Sequence, residues 1–207
     1  FERDSAGADL LEGNHRFVTG VQGSAVFFDG YTTALRLDKE AVPALGDGFT
    51  LSGWLAVAAY PWGQVPIVNQ GRDELRGFTF DVTPRGALAF KAVTNGRELV
   101  ATSADYLLEH RRWTHVAARF DPSSGLAIFI DGRVVAATPI PDSNNLGGRN
   151  PNDRLLQATE LDLLVGATRV PVRPAGYHRF KGSRPGFMSF DGVIDEISVF
   201  DSAFADR

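Results

Sequence analysis

The stretch from Trp113 to Ala137 constrains the fold most, because it predicts three antiparallel strands joined by two tight turns. Residues 113–120 alternate with the period of two that puts successive side chains on opposite faces of a strand. The sequence Asp-Pro-Ser-Ser-Gly at 121–125 then indicates a turn, since the proline fixes φ and the glycine permits positive φ. Asp131-Gly132 indicates a second turn, because this pair supplies the positive φ angles of a type I′ hairpin.

The apolar run from Leu126 to Ile130 is too short for a helix, so we expect a strand with both faces covered in a two-layer structure. Similar short runs recur along the chain, separated by turn-forming residues. We therefore predict an all-β fold of two stacked antiparallel sheets. Further strands are expected within residues 20–30, 31–37, 49–57, 67–71, 77–82, 86–93, 99–103, 161–166 and 190–200.

The composition fits a single β domain without covalent cross-links. The chain has 207 residues, a size that β-sandwiches reach as one unit, and its 22 Gly and 11 Pro are spread out rather than gathered in a linker. A net charge of −4 rules out a generally basic nucleic-acid binder, and the lack of cysteine excludes disulfides and thiolate metal sites. No apolar run approaches the ~20 residues of a membrane span, so we expect no membrane insertion.

Four segments carry a resemblance to a known family. They are Trp113-Thr-His-Val-Ala with Phe129-Ile-Asp-Gly-Arg-Val-Val, Gly23-Ser-Ala-Val-Phe-Phe-Asp-Gly, Phe49-Thr-Leu-Ser-Gly-Trp, and Phe190-Asp-Gly-Val-Ile-Asp-Glu-Ile-Ser-Val-Phe. These segments resemble the motifs of laminin-G-like domains, which are concanavalin A-like jelly rolls. The resemblance extends from Gly20 to Phe200. It implies a single laminin-G-like β-sandwich domain over residues 1–207, with a two-sheet antiparallel jelly-roll architecture.

The resemblance implies a function in binding. We expect a non-catalytic carbohydrate-binding or accessory module of a secreted bacterial carbohydrate-active enzyme, with carbohydrate or a neighbouring catalytic domain as its partner. The alternative is a structural domain that packs on that neighbour without touching sugar, and a glycoside hydrolase is a third hypothesis. An extracellular or periplasmic location is implied by the family alone. Because the chain starts at Phe1 without a methionine, we expect a processed or excised part of a larger protein that is monomeric as a fragment.

The acidic residues do not reproduce the active strand of jelly-roll glucanases, which resembles Glu-x-Asp-x-Glu and places three carboxylates on one face. Glu160 and Asp162 match the first two positions, but Leu164 stands where the third acid is required. Asp195 and Glu196 are adjacent, so we expect them on opposite faces of a strand, where they cannot share a substrate. We therefore predict no catalytic residue in this domain.

Two aromatic residues around a proline suggest a sugar contact. Tyr60-Pro-Trp62 places two rings where a turn has no need of them, and a ring held on a rigid loop stacks well on the apolar face of a sugar. The alternative is that both rings fold down and cap the core. Trp54 also invites a stacking role, but within its strand we predict a core residue. His115 is predicted to be a strand-borne, hydrogen-bonded side chain.

A cluster of basic residues lies between residues 169 and 184. Five Arg and Lys side chains occur there without an acidic one, alongside Tyr177 and His178. Such a cluster can dock an acidic partner or an anionic glycan, so we add Tyr177, His178 and Arg179 to the predicted ligand contacts. The alternative is a solvated loop.

Calcium is the cofactor that the resemblance suggests, since similar domains often carry this ion. The sequence repeats Phe-Asp-Gly at 28–30 and 190–192, which is expected to place Asp29 and Asp191 in exposed loops, with Asp195 near the second. Calcium takes six to eight oxygens, mostly carboxylates and carbonyls from loops. The alternative is that each Asp only shapes its own Asp-Gly turn.

Overall fold

The computed structural model describes residues 10–45, 48–71, 77–94, 97–140, 160–169 and 188–204. Over these ranges the chain forms fourteen β-strands and no helix. Consequently no helix in the described ranges is long and apolar enough to cross a membrane. The strands form two antiparallel sheets of seven strands each, which confirms the predicted all-β sandwich.

The first sheet combines a run of hairpins with strands from distant parts of the chain. Its strands are β1 Leu10–Glu12, β4 Ala34–Leu37, β6 Val65–Asn69, β7 Phe78–Val82, β8 Leu88–Thr94, β9 Arg97–Thr102 and β13 Leu163–Val165. Their order across the sheet is β1-β4-β13-β6-β7-β8-β9. Strands β6 to β9 therefore pair in sequence order, whereas β13 lies between β4 and β6.

The second sheet places the last strand of the chain near its centre. Its strands are β2 Arg16–Thr19, β3 Ser24–Asp29, β5 Phe49–Val57, β10 Thr114–Asp121, β11 Gly125–Ile130, β12 Arg133–Thr138 and β14 Asp191–Phe200. Their order is β12-β11-β10-β5-β14-β3-β2. Strand β14 thus pairs with β5 on one side and with β3 on the other. The pairing with β3 brings the two Phe-Asp-Gly segments together.

The three strands predicted from Trp113 to Ala137 are confirmed, with both turns. Asp131 and Gly132 have φ values of 48° and 76°, as the type I′ hairpin requires, and Gly125 has a φ of 95°. The Asp121 Oδ1 atom accepts a hydrogen bond from the Ser123 backbone N–H at 2.7 Å, so the side chain bonds its own turn. Local turn chemistry was therefore sufficient to predict this part of the second sheet.

The core lies between the sheets and is built from inward-pointing alternate residues. Along β5, Phe49, Leu51 and Leu55 are all fully buried. The Phe49 ring lies 4.7 Å from the ring of Phe78 in the first sheet and 6.0 Å from that of Phe120 in β10. Contacts of this kind join the two layers, since aromatic rings bury large apolar areas.

Trp54 is not a core residue, and the prediction that it would be was wrong. The alternation that turns Leu51 and Leu55 inward turns Trp54 to the outer face of the second sheet, where it is only partly buried. Its ring meets the His115 ring edge-on, with centroids 5.2 Å apart. The His115 Nε2 atom lies 3.0 Å from the Ser52 Oγ atom, which confirms the predicted strand-borne, hydrogen-bonded histidine.

Near the N-terminus, β4 begins later than the sequence predicted, and β1 was not predicted. The strand predicted over residues 31–37 begins only at Ala34, because the Asp29 carboxylate binds the backbone N–H groups of the preceding turn. Residues before Asn14 show no clear period, yet Leu10–Glu12 forms the edge strand β1 by pairing with β4. The formation of β1 therefore depends on pairing with β4, and no local sequence pattern indicates this strand.

Four connections meet at one end of the sandwich, which we call the rim. They are the segments at 30–33, 58–64, 83–87 and 103–113. Backbone hydrogen bonds tie them to each other and to strand ends, including Tyr106 N to Arg85 O at 2.7 Å and Arg111 N to Val57 O at 2.7 Å. The rim is thus an ordered surface rather than a set of independent loops.

Candidate functional site

The rim holds the aromatic pair that the sequence singled out. Tyr60 and Trp62 follow the end of β5, where the Ala58 backbone N–H donates to the Asp191 carbonyl oxygen at 2.8 Å. This bond sets the segment at 58–64 beside the start of β14. The two rings then enter different environments, although only Pro61 separates them in sequence.

Tyr60 packs against the connection at 103–113. Its Oη atom donates a hydrogen bond of 2.6 Å to the Leu108 carbonyl oxygen, and its ring lies 4.2 Å from the His110 ring. Burial, with smaller contributions from Tyr106 and Glu109, raises the pKa of Tyr60 above its usual range. A Cβ atom on Gly86 would come within 2.4 Å of the Tyr60 ring, so the glycine leaves the space that the ring occupies.

Trp62 is the more accessible of the two rings. Its exposed fraction is 39%, whereas Tyr60 is half-buried. Of the two predicted aromatic contacts, Trp62 therefore has the accessible surface that stacking on a ligand needs. Tyr60 is placed to hold the neighbouring segment in position.

Two further aromatic residues on the rim were missed by the sequence reasoning. Tyr31 follows the Asp29-Gly30 turn with 51% of its surface exposed, and Tyr106 lies in the connection before β10 with 64% exposed. The signal that could have found them was the same as for Trp62, namely an aromatic residue in a polar turn segment where no core position is expected. The rim therefore carries three exposed rings, Tyr31, Trp62 and Tyr106.

The predicted basic contacts fall largely beyond what the structure describes. Tyr177, His178 and Arg179 lie outside the described residues. Arg169, at the start of the basic cluster, is described, and its Nη2 atom donates to the Asp162 carbonyl oxygen. Burial lowers the pKa of Arg169, which the charge of Asp162 partly offsets.

Asp29 is the most fully hydrogen-bonded of the predicted metal ligands. Its Oδ1 atom accepts from the backbone N–H groups of Tyr31, Thr32 and Thr33 at 3.0, 2.7 and 3.0 Å, and its Oδ2 atom accepts from the Thr32 hydroxyl at 2.6 Å. Burial opposes ionisation, but these hydrogen bonds outweigh it and hold the pKa of Asp29 well below its usual range. The carboxylate therefore shapes its own turn, as the alternative interpretation proposed.

Asp191 differs from Asp29, which it faces as the register partner across β3 and β14. Burial raises its pKa, and the charge of Asp29 raises it further. The two carboxylates form a negatively charged pair at the rim. A calcium ion could draw oxygens from both, although the described residues contain no group of three or more His, Cys, Asp or Glu side chains suited to a metal ion.

Asp195 does not join this pair, contrary to the expectation that it lies near the second Asp-Gly turn. It is four residues further along β14, which is about 13 Å in an extended strand. Its side chain is fully buried and accepts from the backbone N–H groups of Val21 at 2.7 Å, Gln22 at 3.2 Å and Glu196 at 3.0 Å. Asp195 is therefore a structural residue at the bulge between Asp195 and Ser198.

Asp162, which was considered for catalysis, also has structural partners. The Asp162 carboxylate accepts from Arg36 Nη1 at 3.1 Å and from the Lys39 backbone N–H at 3.2 Å, and these contacts lower its pKa. Leu164 occupies the position of the missing third acid and is buried.

Asp81, which the sequence did not single out, is buried on the outer side of β7. Its Oδ2 atom accepts from Gln64 Nε2 at 2.6 Å and from the Thr79 hydroxyl at 2.8 Å. Burial raises its pKa to about 6, although these hydrogen bonds oppose the shift.

The fold and its sequence motifs match a known superfamily. A laminin-G family model, described as the concanavalin A-like lectin/glucanases superfamily, matches residues 29–158, which is more than half of the 207 residues. The chain belongs to this superfamily. The resemblance deduced from the sequence motifs is thereby confirmed, together with the jelly-roll sandwich that it implied.

Solved structures of the same fold come from toxin binding domains. The binding domain of Paraclostridial Mosquitocidal Protein 1 superposes with a TM-score of 0.65 at 13% identity, over 96% of this chain and 45% of that one. The binding domain of botulinum neurotoxin serotype G superposes with a TM-score of 0.64 at 10% identity, over 99% of this chain and 45% of that one. The receptor binding domain of the botulinum neurotoxin C/D mosaic serotype has a TM-score of 0.63 at 11% identity, over 97% of this chain and 44% of that one.

This chain thus spans less than half the length of those binding domains. At such low identity the likeness establishes the fold alone. No curated protein matches the sequence.

Proposed function

We propose that this domain is a non-catalytic carbohydrate-binding module that contacts its glycan at the rim. The observation that carries the proposal is the exposed Trp62 ring beside Tyr60, on a segment held to β14 by a backbone hydrogen bond. An ordered ring loses little conformational entropy when it stacks on a sugar. Membership of a lectin and glucanase superfamily supports a glycan as the ligand.

A structural neighbour supports the same class of ligand. Botulinum neurotoxin type C, whose solved structure shares this fold, depends on interaction with two ganglioside molecules to enter cells. This chain spans only 44% of the length of that structure, with a TM-score of 0.58 and 10% identity. Glycan binding by this chain is therefore a proposal and is not inferred as a property shared with that toxin.

We extend the proposal to the setting of the domain, an accessory module of a secreted bacterial carbohydrate-active enzyme. This setting rests on the family resemblance, since the three structures compared above are toxin binding domains. Catalysis is assigned to another domain, because Leu164 replaces the third acid of the glucanase pattern. Calcium at Asp29 and Asp191 is proposed as an optional cofactor of the rim.

A second candidate function is that of a packing module. Phe200 and Phe204 lie at the opposite end of the sandwich with 37% and 47% of their surfaces exposed, and their ring centroids are 4.7 Å apart. An exposed aromatic pair of this kind suits contact with a neighbouring domain. This candidate differs from the first in its location, so one pair of variants separates the two.

The test is a polysaccharide screen by isothermal titration, run on the wild type, on Trp62→Ala and on Phe204→Ala. Loss of a stacking ring removes on the order of 1 kcal/mol, so we expect about fivefold weaker binding for Trp62→Ala or more. Phe204→Ala is the matched control, because it removes an exposed ring from the other end, and it should bind like the wild type. Melting curves must confirm that both variants fold.

Two results would contradict the proposal. Equal binding by the wild type and Trp62→Ala would remove this ring from the site. A wild type that binds no neutral or acidic polysaccharide at about 10 mM sugar equivalents would favour the packing module, since weak lectin sites still saturate near this concentration.

A further inference from the structure

Tyr106 has a backbone conformation that a bulky residue rarely adopts. Its φ of 62° lies in the left-handed region, where an aromatic side chain is strained. Arg111, in the same segment at 103–113, has a φ of 59°. Strained residues of this kind cluster at ligand contacts, where the surrounding structure enforces them.

Burial of the ring does not compensate for the strain at Tyr106. The residue is 64% exposed, the largest exposed fraction among the exposed hydrophobic side chains of the described ranges. Its ring centroid lies 6.1 Å from that of Tyr60, so the two rings touch only at one side. Stability of the fold alone therefore gives no reason for a tyrosine at this position.

The residues around Tyr106 hold it in place. The Tyr106 backbone N–H donates to the Arg85 carbonyl oxygen at 2.7 Å, and the Leu108 N–H donates to the Gly86 carbonyl oxygen at 3.3 Å. The Leu108 side chain is 1% exposed and anchors the segment in the core, while the Leu108 carbonyl oxygen accepts the Tyr60 hydroxyl. The backbone is therefore held at Tyr106 and at Leu108, which fixes the direction of the Cα–Cβ bond of Tyr106.

An ion pair involves the residue next to Tyr106 in sequence. Asp105, the preceding residue, accepts from Arg85 Nη1 at 3.0 Å through its Oδ2 atom, and the two side chains are 41% and 56% exposed. This pair leaves the Asp105 Oδ1 atom as an acceptor for a sugar hydroxyl. An exposed ring followed along the chain by an oriented carboxylate suits pyranose recognition, because sugars have apolar faces and polar edges.

We propose that Tyr106 is the preformed stacking platform of the rim, on which the apolar face of a pyranose unit lies while Asp105 binds its hydroxyls. This inference rests on the proposed carbohydrate-binding function and deepens it, because it names the ring and the carboxylate that hold the sugar. Tyr60 acts as a positioning residue that supports the platform. Trp62 then provides a second ring of the same site.

The decisive variant is Tyr106→Gly, because glycine adopts positive φ without strain. If the ring serves a ligand, this variant loses at least fivefold in affinity for the glycan that the wild type binds, and its melting temperature stays equal or rises by about 2–4 °C. Tyr106→Phe keeps the ring and should bind within about twofold of the wild type, while Asp105→Asn should weaken binding by at least threefold with little change in melting temperature.

The outcomes separate this inference from the proposed function. Glycan binding that Trp62→Ala weakens and Tyr106→Gly leaves unchanged would overturn the platform and keep the function. A clear fall in melting temperature for Tyr106→Gly with unchanged affinity would show a structural role and would also overturn it. A wild type that binds no glycan would overturn both.

Discussion

Asp29 and Asp191 lie opposite each other at the rim, as register partners across the antiparallel strands β3 and β14. Asp29 receives three backbone hydrogen bonds from its own turn, whereas the pKa of Asp191 is raised by burial and by the charge of Asp29. The two Phe-Asp-Gly segments therefore have different roles, although their sequences are the same. One shapes a turn and the other carries a carboxylate under like-charge repulsion.

Replacing Asp191 by Asn should raise the melting temperature of the protein in EDTA, because the change removes the like charge facing Asp29. If the pair binds calcium, millimolar calcium should raise the melting temperature of the wild type by mass action and have no effect on Asp191→Asn. Asp201→Asn, at the exposed far end of the domain, is the matched control and should keep the calcium response. An identical wild-type melting curve in EDTA and in calcium would remove the metal hypothesis.

Replacing Asp195 by Ala should destabilise the fold by on the order of 3 kcal/mol, because three backbone donors lose their buried acceptor. This corresponds to a melting temperature lower by roughly 6–12 °C for a domain of this size. Asp195→Asn keeps one acceptor oxygen and should lose less stability than Asp195→Ala. Thermal denaturation with and without calcium is the measurement, and the loss should be the same in both. A loss seen only in the presence of calcium would return Asp195 to the set of metal ligands.

Asp81 should make the domain less stable as the pH rises from about 4 to about 7. Its pKa is raised to about 6 in the folded protein, so the folded state binds the proton more tightly than the unfolded state does. The stabilisation is complete below the ordinary value of 3.8 and is lost as the pH rises through 6. The full effect is on the order of 3 kcal/mol.

Asp81→Asn isolates this effect, since an amide oxygen can still accept from Gln64 and Thr79. The free energy of unfolding from urea titrations at about pH 4.5, 5.5, 6.5 and 7.5 is the measurement. We expect the difference between the variant and the wild type to grow with pH over this window. The carboxylates with lowered pKa values, such as Asp29 and Asp162, lose their stabilising effect only at lower pH, below 3.8. A constant difference between the two proteins would contradict the assignment.

Strands that are bounded by local turns could be predicted from the order of the residues. The passage from Trp113 to Ala137 contains both its own periodicity and the turn residues that end each strand, so its three strands followed without tertiary information. The superfamily followed for the same reason, because its motifs are short segments of strand and turn. The strand β14 was likewise predicted from its own residues, although its partners were not.

The set of residues that meet at the rim could be known only from the folded chain. The pairing of β14 with β3 brings Asp191 opposite Asp29. Backbone hydrogen bonds at Tyr106 and Leu108 hold Tyr106 at the surface. Neither arrangement follows from local sequence. Trp54 shows the same limit, since its residue type favours the core while its place in the alternation of β5 turns it out. Strand formation depends on φ and ψ preferences within a few residues. The position of a side chain relative to distant groups depends instead on which strands pair and in what register, and long-range packing fixes both.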